Sequence, residues 1–192
     1  SQSVLARKSQ VVARLQGVLP MDAVIHDEME TRAYECDALT AYRCPPMAAV
    51  LPSTTDEVAA VLRTCHEEGV PVVPRGSGTS LAGGALPTAD CVILGVARMN
   101  DVIETNYADR YIRVQTGRTN LSVTGAVEED GFFYAPDPSS QLACAIAGNI
   151  AMNSGWLLYT SDAADELRVV DIGGRRTLKH KDINTNTPIH HV

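Results

Sequence analysis

An α/β or α+β fold is predicted by three features of this sequence: short apolar runs, amphipathic stretches between them, and glycines where such stretches end. The chain has 192 residues, of which 45% are hydrophobic. That content is too high for a disordered chain and supports the buried core of one ordinary domain. Strand-like and helix-like segments alternate without an internal repeat, which indicates strands interleaved with helices.

The helical segments show an apolar spacing of three to four residues. An N-terminal helix is predicted up to Pro20 from Val4, Leu5, Val11, Val12, Leu15 and Leu19. Residues 21–46 are predicted to form an irregular connection. Ser53, with Asp56 three residues later, resembles a capping box and predicts a helix that ends at Gly69. We expect its apolar face to contain Val58, Val61, Leu62 and Cys65.

Short apolar runs predict the strands. They lie at residues 47–51, 70–73, 91–94, 102–104, 111–115 and 132–134. Between the last two runs, Thr119 or Asn120 is a candidate cap for a helix that passes through Ala126 to Asp130. Gly131 is expected to end this helix.

Charge and cysteine content exclude several classes of protein. The net charge of −7 argues against a nucleic-acid binder, which would carry a basic face. Residues 1–155 carry this whole charge, whereas 156–192 are neutral. The sequence holds no apolar run long enough for a membrane span and no signal peptide, so we expect a cytoplasmic protein. Five cysteines without a C-x-x-C pair predict reduced, hydrophobic thiols and no metal site.

The stretch from Pro74 to Gly84 follows a predicted strand and contains four glycines and three hydroxyl residues. Such a loop exposes backbone N–H groups with few side chains in the way, which suits a phosphate. Leu81 stands where the third glycine of a Rossmann fingerprint belongs, and no Gly-Lys-Ser/Thr of a P-loop follows. Arg75 is positioned to pair with phosphate, and Ser77, Thr79 and Ser80 offer hydroxyls. The alternative is a surface turn of small residues.

A second small-residue segment spans residues 136–155 and begins with the rigid turn Pro-Asp-Pro. Asn149, Asn153 and Ser154 add hydrogen-bond donors, and the small residues allow close approach of a ligand. The alternative is a tightly packed helix N-terminus. Because each of the two segments follows a strand, they favour one extended ligand between them.

Three motifs together resemble a known family. PRGSGTSLAGGALP (74–87), YAPDPSSQ (134–141) and GNIAMNSG (148–155) are similar to the FAD-binding half of glycolate oxidase D-subunits. These subunits belong with the FAD-linked D-lactate and 2-hydroxyacid dehydrogenases of the vanillyl-alcohol-oxidase type. The resemblance runs from about Tyr34 to Gly155. It implies an α+β, PCMH-type FAD-binding domain of two α/β subdomains with the cofactor between them, in truncated form.

The resemblance also implies the residues that bind FAD. The pyrophosphate would be wrapped by Arg75, Gly76, Ser77, Gly78, Thr79, Ser80, Gly83 and Gly84. The flavin or ribityl side would contact Pro138 and Ser139, and the second face would be lined by Gly148, Asn149, Ala151, Asn153 and Ser154. Relatives with covalent FAD often carry a His in the first loop, whereas this chain has Thr79 and no His, so we expect non-covalent FAD. Ala147 departs from the usual glycine.

On this resemblance, residues 1–33 are a helical lead-in and 34–155 an incomplete FAD-binding domain. Residues 156–192 are unrelated to the family, and we expect them to be a disordered tail or an artefactual read-through. The implied reaction is hydride transfer from a 2-hydroxy acid, such as glycolate or D-lactate, to FAD. The catalytic base is expected outside this sequence, and the electron acceptor is expected to be a partner such as an iron–sulfur subunit, which would also explain any membrane association.

Two alternatives remain open at the level of sequence. One is an FAD-binding fragment that lacks the substrate domain and performs no turnover. The other keeps the fold but changes the reaction, as in a flavin reductase of cell-wall precursor synthesis. The segment Pro-Asp-Pro-Ser-Ser-Gln favours the hydroxyacid branch over the reductase.

Overall fold

The computed structural model describes residues 2–136 and 138–154, together with the backbone of residues 176–180. The helices are α1 (Gln2–Leu5), α2 (Lys8–Gln16), α3 (Glu28–Thr31), α4 (Thr55–Glu68), α5 (Asn120–Gly125) and α6 (Ile146–Ala151). The strands are β1 (Val24–Ile25), β2 (Ala48–Val50), β3 (Val72–Arg75), β4 (Val92–Gly95), β5 (Val102–Asn106), β6 (Tyr111–Val114), β7 (Phe132–Tyr134) and β8 (Arg176–His180). The strands form two separate sheets, and helices pack against both of them, which confirms the α+β fold with two subdomains.

The first subdomain is built on a sheet with the strand order β1-β2-β4-β3. Strands β2, β3 and β4 are parallel, and β1 pairs antiparallel with β2. Every residue of β2 and β4 is buried, as expected for parallel strands covered on both faces. One face packs against α2 and α4, through side chains such as Leu15 and Val61. The opposite face carries Ala49 and Ile93, with Tyr34 packed on them.

The second subdomain is built on an antiparallel sheet with the strand order β5-β6-β8-β7. Its core is smaller. Ile112 of β6 and Tyr134 of β7 pack with Val123 and Val127 from α5 and the turn after it, and with Ile146 of α6. This core places α5 and α6 side by side, which brings the second small-residue segment to the surface that faces the first subdomain.

The predicted strands all appear, within two residues of the expected bounds, but the N-terminal helix is divided. The N–H of Arg7 donates to the carbonyl of Val4 and closes a turn between α1 and α2. The guanidinium of Arg7 then reaches Glu68 of α4 at 2.6 Å. The prediction of a single helix up to Pro20 is therefore wrong, although the predicted apolar residues Val11, Val12 and Leu15 do form the buried face of α2.

Residues 21–46, predicted as irregular, contain four short elements. Besides β1 and α3, there are 3-10 turns at Met21–Ala23 and Arg32–Tyr34. Asp27 caps α3 by accepting hydrogen bonds from the N–H groups of Met29 and Glu30. Elements of two to four residues are too short to show a period in the sequence, which explains why they were not predicted.

Helix α4 begins one residue later than predicted. Thr54, rather than Ser53, is the N-cap: its Oγ1 accepts from the N–H of Glu57 at 3.2 Å, and the Glu57 carboxylate accepts from the N–H of Ser53 at 2.6 Å. Leu62, predicted on the apolar face, is 47% exposed. The buried face instead includes Thr64 and Glu68, and Glu68 pairs with Arg7 and Arg14.

The helix predicted from 119 or 120 to 130 is shorter than expected. Thr119 caps α5 by accepting from the N–H of Ser122, and α5 ends at Gly125. A separate 3-10 turn follows at Glu128–Asp130, and Gly131 ends it with a φ of +78°. Thr119 is therefore the cap of the two candidates, and Asn120 is a buried first residue of the helix.

The boundary predicted near Gly155 stays a prediction. Residues 155–175 and 181–192 lie outside the described residues, so most of the proposed tail is not described. The backbone of Arg176–His180 forms β8, which pairs antiparallel with β6 and β7. This strand lies between those two and completes the second sheet.

Candidate active site

The glycine loop (residues 76–84) leaves the carboxyl end of β3, which is an edge strand. The last bond of the ladder runs from the N–H of Val96 to the carbonyl of Arg75, at 3.1 Å. In the part of the chain that the structure describes, no atom accepts from the N–H groups of residues 77–81. Gly78 and Gly83 have φ values of +69° and +76°, a backbone conformation that favours glycine. The loop therefore presents a run of available donors, as an anion site requires.

Arg75 anchors this loop from beneath. One guanidinium nitrogen donates to the carbonyl of Cys36 at 2.7 Å, and the guanidinium carbon lies 5.8 Å from the centre of the Tyr34 ring. A Cβ on Gly78 would lie 2.3 Å from the same guanidinium. Arg75 thus fixes the loop to the segment before β2. Its pairing with phosphate stays a prediction.

The segment beneath the loop holds a buried carboxylate that the sequence analysis did not single out. Asp37 is 4% exposed, and its Oδ1 accepts from the N–H of Leu39 at 2.8 Å. Its Oδ2 finds no donor among the described residues. The Leu39 side chain lies 3.8 Å from the position of a Cβ on Gly83, so this segment also supports the far end of the loop.

The two small-residue segments meet, as the sequence predicts. A Cβ on Gly76 would lie 3.4 Å from the backbone nitrogen of Gly148 and 3.6 Å from the Cβ of Ala145. Further along, Ser80 Oγ lies 4.0 Å from the sulfur of Met152. The glycine loop therefore runs alongside α6, although 72 positions separate Ser80 from Met152.

The start of α6 is tied to the chain before α5. The N–H of Ile146 donates to the carbonyl of Arg118 at 2.9 Å, and the N–H of Ala147 donates to that of Thr116 at 2.8 Å. The N–H of Gly148 has no acceptor in the described part of the chain. The alternative of a packed helix start is thus confirmed for residues 146–151, and it leaves the Gly148 donor available beside the glycine loop.

The predicted residues of the second segment divide into two groups. Ser139, Ala151, Asn153 and Ser154 are exposed, and Pro138 and Gly148 are half-buried. Asn149 is different: it is 7% exposed, and its amide donates to Asn120 Oδ1 at 2.6 Å and to the sulfur of Cys144 at 3.4 Å. The structure thus brings the exposed and half-buried residues to the surface of this segment, and it directs the Asn149 amide into the protein.

A cavity of about 490 Å³ lies between the two subdomains, next to the start of the glycine loop. It is lined by Gly76, Ser77, Ala97, Asn100, Asp101, Val102, Gly117, Arg118, Thr119, Ser122 and Ala145. The sequence analysis missed the lining residues from Ala97 to Ser122. One sequence pattern could have indicated some of them: a strand, a glycine and a helix follow one another here, with Gly117 between β6 and the cap of α5.

Gly117 and Arg118 lie where the two subdomains are in close contact. A Cβ on Gly117 would lie 1.9 Å from the carbonyl oxygen of Val96, and the Gly117 N–H donates to the Met99 carbonyl at 2.7 Å. The Arg118 guanidinium donates to the carbonyl of Asn100 at 2.7 Å and to that of Ser122 at 3.0 Å. These contacts fix the walls of the cavity and place a permanent positive charge in one of them.

The family of the chain follows from a comparison with known domains. The model of a family described as "FAD binding domain" matches residues 46–177. This chain belongs to that family. The match contains the glycine loop, the residues around the cavity and the second segment, and it continues past Gly155 into β8.

The chain is also similar to larger proteins. It is 45% identical over 148 residues to "Glycolate oxidase subunit GlcD" of Escherichia coli (strain K12), a match that covers 77% of this chain and 30% of that protein. It is 36% identical over 146 residues to "D-2-hydroxyglutarate dehydrogenase, mitochondrial" of Bos taurus, covering 76% and 27%. The chain therefore spans about a third or less of the length of these curated relatives.

Solved structures show the same fold. An alkyldihydroxyacetonephosphate synthase superposes with a TM-score of 0.70 at 20% identity, over 77% of this chain and 32% of the other. A p-cresol methylhydroxylase with bound substrate superposes with a TM-score of 0.68 at 21% identity, over 76% and 29%. The predicted fold of an FAD-binding domain with two subdomains is thereby confirmed.

The described residues fit the cofactor of this family. FAD carries a pyrophosphate, and the loop offers the N–H groups of residues 77–81, with that of Gly148 beside them. Gly76 allows the loop to run close to α6, since a Cβ there would lie 3.4 Å from the nitrogen of Gly148. The half-buried Arg118 supplies positive charge in the adjacent cavity wall. Donors, charge and space thus coincide where two subdomains meet, a frequent location for cofactor sites.

Other kinds of site find less support. Among the described residues, no three His, Cys, Asp or Glu side chains lie together in the manner of a metal site. Within the same residues, no helix is both long and apolar enough to cross a membrane. Cys65, Cys91 and Cys144 are buried, and burial raises the pKa of the Cys65 thiol to about 11, so this thiol stays protonated at neutral pH.

Proposed function

We propose that this chain is the FAD-binding part of an oxidoreductase that oxidises a 2-hydroxy acid such as glycolate or D-lactate. The single observation that carries the proposal is the juxtaposition of the glycine loop with Gly148, where several N–H donors along one cleft have no acceptor among the described residues. The substrate class is supported by the similarity to the glycolate oxidase subunit of E. coli and to the bovine D-2-hydroxyglutarate dehydrogenase.

In this proposal the glycine loop binds the FAD pyrophosphate. The N–H groups of residues 77–81 donate to the phosphate oxygens, and Gly83 and Gly84 allow the loop to turn back. Ser77, Thr79 and Ser80 add hydroxyl donors. Arg75 acts from beneath the loop, where its bond to the Cys36 carbonyl holds the turn in shape. The absence of a His at Thr79 agrees with non-covalent binding.

The second segment covers the other side of the cofactor. Pro138 and Ser139 are proposed to contact the flavin or ribityl side, with Gly148, Ala151, Asn153 and Ser154 along the opposing surface. Bound FAD supplies the two-electron acceptor of the reaction, while the protein positions it and excludes water. We propose that electrons pass on to a partner, such as an iron–sulfur subunit, in the cytoplasm.

A second candidate function is FAD binding without substrate oxidation by this chain. It is supported by the N–H donors of the glycine loop and Gly148, which suit the cofactor and which this function requires without any substrate contact. The two functions share the cofactor site and differ only in turnover, so one preparation of the protein tests both.

The test is a titration of the purified chain with FAD, in which binding is measured by isothermal titration calorimetry and by the flavin absorption spectrum. We expect one FAD per chain and a spectrum shifted from that of free FAD. The loaded protein is then mixed with a redox dye and glycolate, D-lactate or L-lactate. Dye reduction by glycolate or D-lactate supports the oxidoreductase, and FAD binding without reduction supports the second candidate. Failure to bind FAD contradicts both.

A further inference from the structure

Asn120 joins three parts of the second subdomain. It is 1% exposed, and it begins α5. Its backbone N–H donates to the carbonyl of Cys144 at 3.3 Å, and its side-chain nitrogen donates to the carbonyl of Pro136 at 3.1 Å. Its side-chain oxygen accepts from Asn149 of α6 at 2.6 Å. One buried amide therefore connects α5, Pro136 and α6.

The direction of each hydrogen bond in this pair is determined by its neighbours. The Pro136 carbonyl can only accept, so the Asn120 amide must direct its nitrogen towards it and its oxygen towards Asn149. Asn149 must then donate. A buried hydrogen-bonded pair holds its segments in one arrangement, because the reversed orientation of the Asn120 amide leaves buried polar groups unpaired.

We infer that Asn149 is a positioning residue that acts on the cofactor site through Asn120, and that it does not itself contact FAD. Asn120 thereby also holds Pro136, which lies shortly before the turn of residues 138–144, and this turn contains Pro138 and Ser139, the proposed contacts of the flavin side. The turn is linked to α5 by a further bond, from the N–H of Leu121 to the carbonyl of Gln141 at 3.1 Å. This inference rests on the proposed function only in its statement about FAD.

The first test needs no cofactor and follows hydrogen exchange of the full chain. Asn149→Ala and Asn120→Ala are expected to accelerate exchange at the N–H groups of Gln141 and Cys144, which donate within the turn at 2.8 Å each. The control is Thr64→Val, which removes another buried polar group from α4 in the first subdomain. It should leave exchange in this turn unchanged. Unchanged exchange in both asparagine variants would overturn the inference.

The second test measures FAD affinity in a double-mutant cycle. If Asn149 acts through Asn120, each single substitution weakens FAD binding by about tenfold or more, because each side chain makes two hydrogen bonds, and the double variant is no weaker than Asn120→Ala. Multiplied losses in the double variant would indicate a direct contact and overturn the inference. So would lowered melting temperatures with unchanged FAD affinity, which would show a purely structural pair.

Two further variants keep the test decisive if the alanine variants fail to fold. Asn149→Ser keeps a hydroxyl donor at the same position and should restore part of the affinity. Asn149→Asp keeps the shape but places an acceptor against Asn120 Oδ1, so we expect a larger loss than for serine; equal affinity of both variants would contradict the inference. If the unsubstituted chain binds no FAD, the proposed function fails, while the exchange experiment still judges the asparagine pair.

Discussion

The substitution Gly148→Ala adds one methyl group, and we expect it to affect folding and cofactor binding in different ways. Gly148 is the third residue of α6, its φ is not positive, and a Cβ added there meets no atom within 4 Å. The substitution Gly148→Ala therefore creates no clash in the protein. Because alanine is the better helix former, we expect it to stabilise the fold by about 0.5–1 kcal/mol. For a chain of this size, that corresponds to a melting temperature higher by roughly 1–4 °C.

The same methyl should interfere with FAD. Gly148 lies beside Gly76, and the open space around it is the space that the proposed pyrophosphate takes up. Forcing a methyl group into an occupied, well-packed space costs about 1–3 kcal/mol, which corresponds to roughly 5- to 150-fold weaker binding. The assay is calorimetric titration with FAD, combined with thermal unfolding of the cofactor-free protein. Stability and affinity are thus predicted to change in opposite directions.

Gly125→Ala is the matched control for this experiment. Gly125 is the last residue of α5, is exposed, and also has no atom within 4 Å of an added Cβ. We expect it to leave FAD affinity unchanged. The reasoning is refuted if Gly148→Ala raises the melting temperature and binds FAD as tightly as the unsubstituted chain, since Gly148 would then not face the ligand.

Three further substitutions test other parts of the account. Gly76→Ala should weaken FAD binding at least tenfold by calorimetry, because its Cβ would lie 3.4 Å from the nitrogen of Gly148, one of the proposed donors, whereas the control Gly125→Ala should bind normally. Gly117→Ala should lower the free energy of unfolding by about 1–3 kcal/mol or more in urea titrations, because its Cβ would overlap a backbone carbonyl; unchanged stability would contradict the close contact between subdomains. Glu68→Gln should lower the melting temperature at pH 7. Its hydrogen bond with Arg14 holds the pKa of Glu68 below the usual range, so the carboxylate stabilises the fold above the unfolded pKa of about 4.3 and ceases to do so as pH falls through the folded value. The difference in melting temperature should therefore shrink below about pH 4, and a constant difference would exclude the ion pair as its cause.

The sequence predicted those parts of the site that depend on local chemistry. Glycines after an apolar run are recognisable because a loop that exposes N–H groups needs residues without side chains. The order of strands and helices followed from apolar spacing in the same way. The FAD assignment came from the resemblance of three motifs, and the family match over residues 46–177 confirms it.

The remaining parts depend on contacts between distant segments. The Arg75 guanidinium lies under Gly78 and bonds to the segment before β2, a contact that no local pattern reveals. Asn149 resembled a ligand contact because it lies among small residues, but its partner, Asn120, is 29 positions away. The predicted cap of α4 is Ser53 and the observed cap is Thr54, because two adjacent hydroxyl residues are both suitable caps in the sequence pattern.

The central claim is that FAD lies between the glycine loop and the segment around α6. Hydrogen exchange of the unsubstituted chain with and without FAD tests it most directly. The N–H groups of residues 77–81 and of Gly148 have no acceptor in the described part of the chain, so we expect them to exchange rapidly without the cofactor. We predict that FAD slows exchange in both segments together, while α4 is unaffected. Bound FAD that protects neither segment, or only one of them, would contradict the account.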